Sequence, residues 1–185
     1  MKNFKRHSIR LQEYDYSSAG PYYVTICIQN RFCLLGEISQ ADVELNGAGL
    51  MVYNQWLELP ARFQNIKLDE FIVMPNHFHG IIVLNETAGA SLVDAQPNDN
   101  KEAGIKPAPT LGDIIGAFKS ITTNIYIKGV NGNKWESFPG KLWQRNYFER
   151  VIRDENEMNR IREYIRNNPI KWAYDENNPK KLEIN

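Results

Sequence analysis

Residues 74–84 have the sequence MPNHFHGIIVL, in which two histidines are followed by a continuous apolar run. Its apolar second half predicts a β-strand over residues 78–84. Side chains two apart on a strand point to the same face, so His77 and His79 would present two imidazoles side by side while Phe78 enters the core. Two neutral imidazoles are half of a divalent metal site. The alternative is two polar side chains on a half-exposed strand.

The composition is that of one ordinary globular domain. The 185 residues suffice for one sizeable core, and we expect a single domain over residues 1–185. The 22 basic and 22 acidic residues give no global field that would attract nucleic acid. No apolar run approaches the roughly 18 residues of a membrane span, and the N-terminus lacks a signal peptide pattern, so we expect a cytoplasmic protein. Cys27 and Cys33 should be buried free thiols.

Hydrophobic periodicity predicts an alternation of strands and helices. The predicted elements are strands 22–28 and 32–38 in a hairpin, a helix over 45–62, antiparallel strands 65–73 and 78–84, a helix over about 110–125, a strand over 142–148 and a helix over 154–167. This order suits an α+β domain with an antiparallel sheet and helices packed on one face.

Two segments lack this periodicity. Residues 85–109 are dominated by Ala, Gly, Asn, Asp and Pro, which predicts a flexible insertion within the domain. The N-terminal tail is basic and could either contact a phosphate backbone or be solvated. Its basic residues are Lys2, Lys5, Arg6 and Arg10.

The last predicted helix carries a second group of candidate residues. Asp154, followed three positions later by Glu157, predicts its first turn, and Pro169 predicts its end. Tyr164 and Asn168 are four positions apart and therefore lie on one face near the helix end. Taken alone, such a tyrosine usually packs its ring and bonds its hydroxyl to water, and Asn168 could be a helix C-cap.

Three blocks of sequence together resemble the His-hydrophobe-His single-tyrosine transposases of the IS200/IS605 type, most closely the REP-associated tyrosine transposase branch. The blocks are MPNHFH at residues 74–79, WQRNYFERVIRD at residues 143–154 and YIRNNP at residues 164–169. They occur in the family's order, with matching strands and helices between them, so the resemblance covers residues 14–172. It implies a ferredoxin-like, palm-type domain.

The resemblance also implies an enzyme that cuts single-stranded DNA beside a hairpin and rejoins it. Tyr164 would be the nucleophile, forming a 5′-phosphotyrosine link and leaving a free 3′-hydroxyl. His77 and His79 would hold a divalent ion, Mg²⁺ or Mn²⁺, and Asn168 would be the third ligand. Some relatives use glutamine in place of this asparagine, whereas asparagine before proline is common in the REP-associated branch. Tyr147 is a second candidate for the nucleophile.

A DNA partner would find a modest basic excess near these residues. Residues 141–172 include eight basic and five acidic side chains, a balance that fits either phosphate contacts or a solvated helix surface. Trp143, Tyr147 and Phe148 could stack on unpaired bases or pack in the core. The candidate phosphate contacts are Arg145, Arg150, Arg153 and Arg166.

Two other functions fit the same residues. A non-catalytic descendant could bind single-stranded nucleic acid on the sheet, although the intact His77, His79 and Tyr164 favour an enzyme. A metal-dependent hydrolase could use the histidines without the tyrosine. Relatives include dimers and monomers, so a monomer and a homodimer both remain open.

Overall fold

The computed structural model describes residues 18–85 and 109–181. Its strands are β1 (Gly20–Cys27), β2 (Gly36–Ser39), β3 (Asp42–Leu45), β4 (Ile66–Val73), β5 (His77–Leu84) and β6 (Phe148–Val151). Its helices are α1 (Gly47–Leu57), α2 (Leu59–Arg62), α3 (Leu111–Asn133), α4 (Glu155–Arg166) and α5 (Asn168–Lys171). None of the helices within the described ranges is long and apolar enough to span a membrane. The basic N-terminal tail and all but the two end residues of the predicted insertion lie outside the described residues.

The main sheet has four antiparallel strands in the order β4-β5-β1-β6. β5 is an inner strand, paired with β4 on one side and β1 on the other. In its register with β1, His77 lies opposite Cys27 and His79 lies opposite Thr25. Because β5 is paired along both edges, its backbone gives the two histidines a rigid support.

One face of the sheet carries the main hydrophobic core, formed with α1 and α3. Phe78 of β5 packs against Trp56 of α1, with ring centroids 4.3 Å apart, and against Phe118 of α3, with centroids 5.6 Å apart. All three side chains are fully buried. Burying a side chain of this kind contributes about 1.5–3 kcal/mol, so this aromatic cluster anchors both helices to the strand that carries the histidines.

The opposite face carries a smaller apolar cluster beneath α4. Tyr23 of β1 and Ile81 of β5 point to this side and pack with Met158 and Ile165 of α4. As predicted, α4 begins at the N-cap Asp154. The predicted antiparallel α+β class is confirmed, with α1 and α3 on one face, and α4 adds a layer on the other.

Two predicted strands differ from the structure. Residues 32–38 were expected to form a hairpin with β1, and this is wrong, because a 3-10 turn over Gln29–Arg31 directs the chain out of the main sheet. β2 pairs with β3 instead, in a separate two-stranded sheet. The strand predicted over 142–148 begins only at Phe148, as β6. Before it, a single bridge joins Trp143 to Ile28.

Two further local predictions are also wrong. α3 continues to Asn133, beyond the end predicted near residue 125, because Val130 still packs against the main core. Cys33 is exposed and Cys27 is half-buried, so the two thiols are not both core residues. Neither difference changes the support of the histidine-bearing strand.

Candidate metal and nucleophile site

His77 and His79 lie side by side on the face of the sheet that α4 covers. Phe78, between them, points into the main core, as the strand alternation predicts. The two imidazoles are 0% and 2% exposed, and their ring centroids are 4.6 Å apart. They are therefore more deeply buried than polar side chains on a half-exposed strand would be.

The side chain of Asn76 fixes the orientation of the His77 ring. Asn76 Oδ1 lies 2.9 Å from His77 Nδ1. Asn76 Nδ2 donates to the backbone oxygens of Arg31, at 2.8 Å, and Asn177, at 2.7 Å. Because both amide hydrogens are used, Oδ1 must accept, so the proton of His77 lies on Nδ1 and Nε2 keeps its lone pair.

Two hydroxyl groups of β1 fix the ring of His79. His79 Nδ1 lies 2.7 Å from Tyr23 Oη and 2.9 Å from Thr25 Oγ1. A proton on His79 Nε2 would be buried without an acceptor among the described residues, whereas a proton on Nδ1 has two oxygens within reach. Buried N–H groups without an acceptor are rare, so the proton belongs on Nδ1 and Nε2 again keeps its lone pair.

Three buried atoms at this site have no hydrogen-bond partner within residues 18–85 and 109–181: His77 Nε2, His79 Nε2 and Asn168 Oδ1. Leaving one buried polar atom unsatisfied costs about 1–3 kcal/mol. Two imidazole nitrogens and one amide oxygen form a donor set that suits a divalent first-row cation and leaves coordination positions open. The residues present therefore fit a divalent metal ion.

The protonation of both histidines suits this role. Burial lowers the pKa of His77 to about 4 and that of His79 well below its ordinary value. The negative charge of Asp175 and the amide of Asn168 act in the opposite direction on the His77 pKa. Asn168 therefore lies beside His77, although no hydrogen bond of ordinary geometry joins them. At neutral pH both imidazoles are uncharged, as metal ligands must be.

Tyr164 and Asn168 reach the histidines from the junction of α4 and α5. The alternative of Asn168 as a C-cap is wrong, because Asn167 caps α4 and Asn168 is the first residue of α5. The Tyr164 ring centroid lies 5.4 Å from that of His79. Tyr164 is 42% exposed, so its ring borders the buried ligands while remaining open to a substrate.

The other aromatic candidates divide between the two faces of the sheet. Tyr147, the second candidate nucleophile, packs against the main core, on the face away from the histidines. Trp143 is buried in the same core and donates from Nε1 to Thr122 Oγ1 at 2.9 Å. Phe148 is 44% exposed, and its ring centroid lies 6.1 Å from that of Tyr23. Of the three predicted base-stacking residues, Phe148 lies beside the site.

The four arginines predicted to contact DNA are all exposed. Two of them, Arg150 and Arg166, each form an ion pair with a glutamate. Arg145 lines an open groove of about 330 Å³ together with two lysines, Lys119 and Lys141. The structure therefore brings Tyr164, His77, His79 and Asn168 together, whereas no hydrogen bond or ion pair among the described residues joins any of the four arginines to these side chains.

Some residues of the site had not been predicted. The C-terminal turn packs over His77, with the Trp172 ring centroid 5.9 Å from that of the imidazole. Tyr23 and Thr25 share one face of β1, which strand alternation could have revealed, but the sequence does not specify the register that places Thr25 opposite His79 and Tyr23 opposite Ile81. Asn76 is part of the MPNHFH block, yet its two backbone acceptors come from distant segments.

Comparison with known proteins identifies solved structures of similar fold. No family model matches the chain. A solved structure of a REP-associated tyrosine transposase bound to a REP hairpin matches 92% of this chain and 74% of its own, with a TM-score of 0.53 and 16% identity. A second solved structure, assigned as a transposase of Deinococcus radiodurans, matches 85% of this chain and 95% of its own, with a TM-score of 0.47 and 15% identity. From the first match, the chain has the fold of a tyrosine transposase, and the resemblance seen in the sequence is confirmed at the level of the fold.

A sequence relative shows the family. An uncharacterized protein of Haemophilus influenzae is 39% identical over 172 residues, which are 92% of this chain and 92% of the relative. The chain belongs to the same family as this Haemophilus influenzae protein. Since the relative is itself uncharacterized, the function has to be argued from the site.

Proposed function

We propose that this protein is a metal-dependent transposase-type endonuclease that cuts and rejoins single-stranded DNA next to hairpins. One observation carries the proposal: the exposed ring of Tyr164 lies 5.4 Å from that of His79, at the edge of three buried ligand atoms that lack partners among the described residues. A metal site alone would need only the three ligands. A solvent-accessible tyrosine beside them supplies the nucleophile of a covalent mechanism.

His77, His79 and Asn168 would hold the divalent ion, and the family resemblance favours Mg²⁺ or Mn²⁺. The bound ion would supply positive charge to the scissile phosphate and to the pentavalent transition state. Residues 18–85 and 109–181 contain no cluster of three His, Cys, Asp or Glu side chains that could hold a metal. The amide oxygen of Asn168 is therefore needed to complete the set.

Tyr164 would carry the covalent step. Its Oη forms a bond to phosphorus while the bond from phosphorus to the 3′-oxygen of the preceding nucleotide breaks, which leaves a 5′-phosphotyrosine and a free 3′-hydroxyl. The Tyr164 proton passes to solvent, and the departing oxygen takes a proton from solvent. Because the new bond is again a phosphodiester, a 3′-hydroxyl can attack it and rejoin the strand.

The DNA would approach from the exposed side of Tyr164. Phe148, half-exposed beside Tyr23, offers a ring on which an unpaired base could stack. Arg145 and Arg153 are exposed and could contact phosphates. The REP hairpin bound to the transposase of similar fold supports hairpin DNA as the partner.

A covalent-adduct assay tests the proposal. Single-stranded DNA with a hairpin from the flanks of the protein's own gene is labelled at its 3′ end, which stays joined to Tyr164, incubated with the protein and Mn²⁺ or Mg²⁺, and run on a denaturing gel. We expect a protein–DNA band that disappears with chelator and in Tyr164→Phe and His77→Ala, and that persists in Tyr147→Phe. Metal-dependent cleavage without a covalent band would favour a hydrolase, and metal-independent binding without cleavage would favour a binding module.

A further inference from the structure

Tyr23 borders both His79 and Tyr164, and its ring centroid lies 5.7 Å from that of His79. It is 8% exposed, on the β1 position two residues before Thr25. Its ring centroid lies 6.3 Å from that of Tyr164, and the ring planes are nearly perpendicular, at 89°. The Tyr23 ring therefore packs edge-to-face with the ring of the proposed nucleophile.

Thr25 and His79 fill both acceptor positions of the Tyr23 hydroxyl oxygen. Thr25 Oγ1 donates to Tyr23 Oη at 3.0 Å. His79 Nδ1, which carries the imidazole proton for the reason given above, lies 2.7 Å from the same oxygen. A phenol oxygen accepts about two hydrogen bonds and donates one, so the Tyr23 proton must point away from Thr25 and His79.

We propose that Tyr23 is a positioning residue for the nucleophile, donating its hydroxyl proton to the oxygen of Tyr164. A hydrogen bond to an oxygen that gains negative charge strengthens as the charge develops. Tyr23 would thus stabilise the phenolate of Tyr164 as it attacks phosphorus, and again when it leaves in the rejoining step. The inference rests on the proposed function, because it gives Tyr164 the role of nucleophile.

The electrostatics of Tyr23 are consistent with a permanent donor. Burial raises the pKa of Tyr23, the hydrogen bond from Thr25 opposes the rise, and the neighbouring Tyr164 adds to it. A phenol keeps its proton at neutral pH in any case, since its ordinary pKa is about 10. The same arrangement links the two halves of the site, since the imidazole that offers Nε2 to a cation offers its Nδ1 proton to Tyr23.

The full-length Tyr23→Phe variant tests this inference, with Tyr22→Phe as a matched control. Tyr22 is the adjacent buried tyrosine of β1, but it points into the main core and its hydroxyl donates to Ser18 O at 2.8 Å. Under single-turnover conditions with Mn²⁺, we expect Tyr23→Phe to form the covalent adduct about 10- to 100-fold more slowly, with hairpin DNA affinity changed less than about twofold. Tyr22→Phe should react at the wild-type rate.

A second readout is independent of catalysis. In metal-free protein labelled with [¹³Cζ]tyrosine, the Tyr164 resonance, assigned through Tyr164→Phe, should shift in Tyr23→Phe and stay in place in Tyr22→Phe. A Tyr164 resonance unmoved in Tyr23→Phe would overturn the inference. So would an adduct that forms equally fast in wild type and Tyr23→Phe, and the proposed function would then still stand. A wild-type protein that forms no adduct would instead contradict the proposed function.

Discussion

Asn76 holds His77 through a hydrogen bond of 2.9 Å between Asn76 Oδ1 and His77 Nδ1. The amide cannot rotate to offer its nitrogen instead, because Nδ2 is bonded to two backbone oxygens, those of Arg31 and Asn177. One fully buried side chain therefore joins three segments that are far apart in sequence and aims one imidazole. Such outer partners tune the orientation and basicity of metal ligands.

Replacing Asn76 should weaken metal binding without removing a ligand. We expect Asn76→Ala to lower the affinity for Mn²⁺ by about 10- to 100-fold, since His77 would lose the acceptor that fixes its tautomer. Isothermal titration calorimetry measures the change directly, and Asn54→Ala, which removes an exposed asparagine of α1, is the control. Wild-type affinity in Asn76→Ala would contradict the role given to this hydrogen bond.

Asn168 should affect stability differently with and without metal. Its buried Oδ1 has no hydrogen-bond partner in the described parts of the chain. We expect Asn168→Leu to leave the free energy of unfolding of the metal-free protein unchanged or to raise it by up to about 1 kcal/mol. At a Mn²⁺ concentration 100 times its dissociation constant, binding adds about 2.7 kcal/mol to the free energy of unfolding of the wild type, and the variant should gain less. Urea denaturation with and without Mn²⁺ measures the free energy of unfolding of each protein. An equal increase on addition of Mn²⁺ in wild type and Asn168→Leu would show that Asn168 is not a ligand.

Phe148 should contribute to binding of single-stranded DNA through stacking. Loss of one base–aromatic stack costs about 1–3 kcal/mol, so Phe148→Ala should weaken binding by about 5- to 150-fold. Fluorescence anisotropy over a range of salt concentrations measures the affinity and its salt dependence. The salt dependence should stay the same, because no phosphate contact is lost. Tyr53→Ala, which removes a 39% exposed aromatic of α1, should bind as wild type does; equal affinity in Phe148→Ala would exclude the stacking role.

The ion pair between α4 and β4 should give a defined pH dependence of stability. Arg162 bonds both carboxylate oxygens of Asp69, at 2.7 and 2.8 Å, and these hydrogen bonds lower the Asp69 pKa. Because the Asp69 pKa is lower in the folded state than in the unfolded state, the ionised carboxylate stabilises the fold. This contribution is complete at pH values above the unfolded-state pKa, near 3.8, and is lost as the pH falls through the folded-state pKa. The pair is partly exposed, so its contribution should be at most about 1 kcal/mol.

The Asp69→Asn variant tests whether the stabilisation by this ion pair decreases as the pH falls. The difference in free energy of unfolding between wild type and Asp69→Asn should be constant from about pH 8 to pH 5 and should shrink below about pH 4. Urea denaturation at several pH values gives this difference. A difference that grows on acidification would contradict the assignment.

The elements that could be predicted are those whose signals are local. The alternation around Phe78 placed both histidines on one face, and the N-cap residue Asp154 marked the start of α4. The partners of His79 could not be predicted, because they depend on the register between β1 and β5 and lie more than fifty residues away in sequence. The same holds for the turn over Gln29–Arg31, where two consecutive residues with positive φ, Asn30 at 59° and Arg31 at 58°, direct the next segment away from the main sheet.

If Tyr164 is the nucleophile, its oxygen becomes covalently bound to DNA, and peptide mapping of the adduct identifies the modified residue. Trypsin places the two candidate tyrosines in different peptides, EYIR at residues 163–166 for Tyr164 and NYFER at residues 146–150 for Tyr147. After nuclease treatment of the adduct formed with Mn²⁺, mass spectrometry should find the nucleotide mass on EYIR, attached to Tyr164. A nucleotide on NYFER, or a reaction that cleaves DNA without modifying either peptide, would contradict the account.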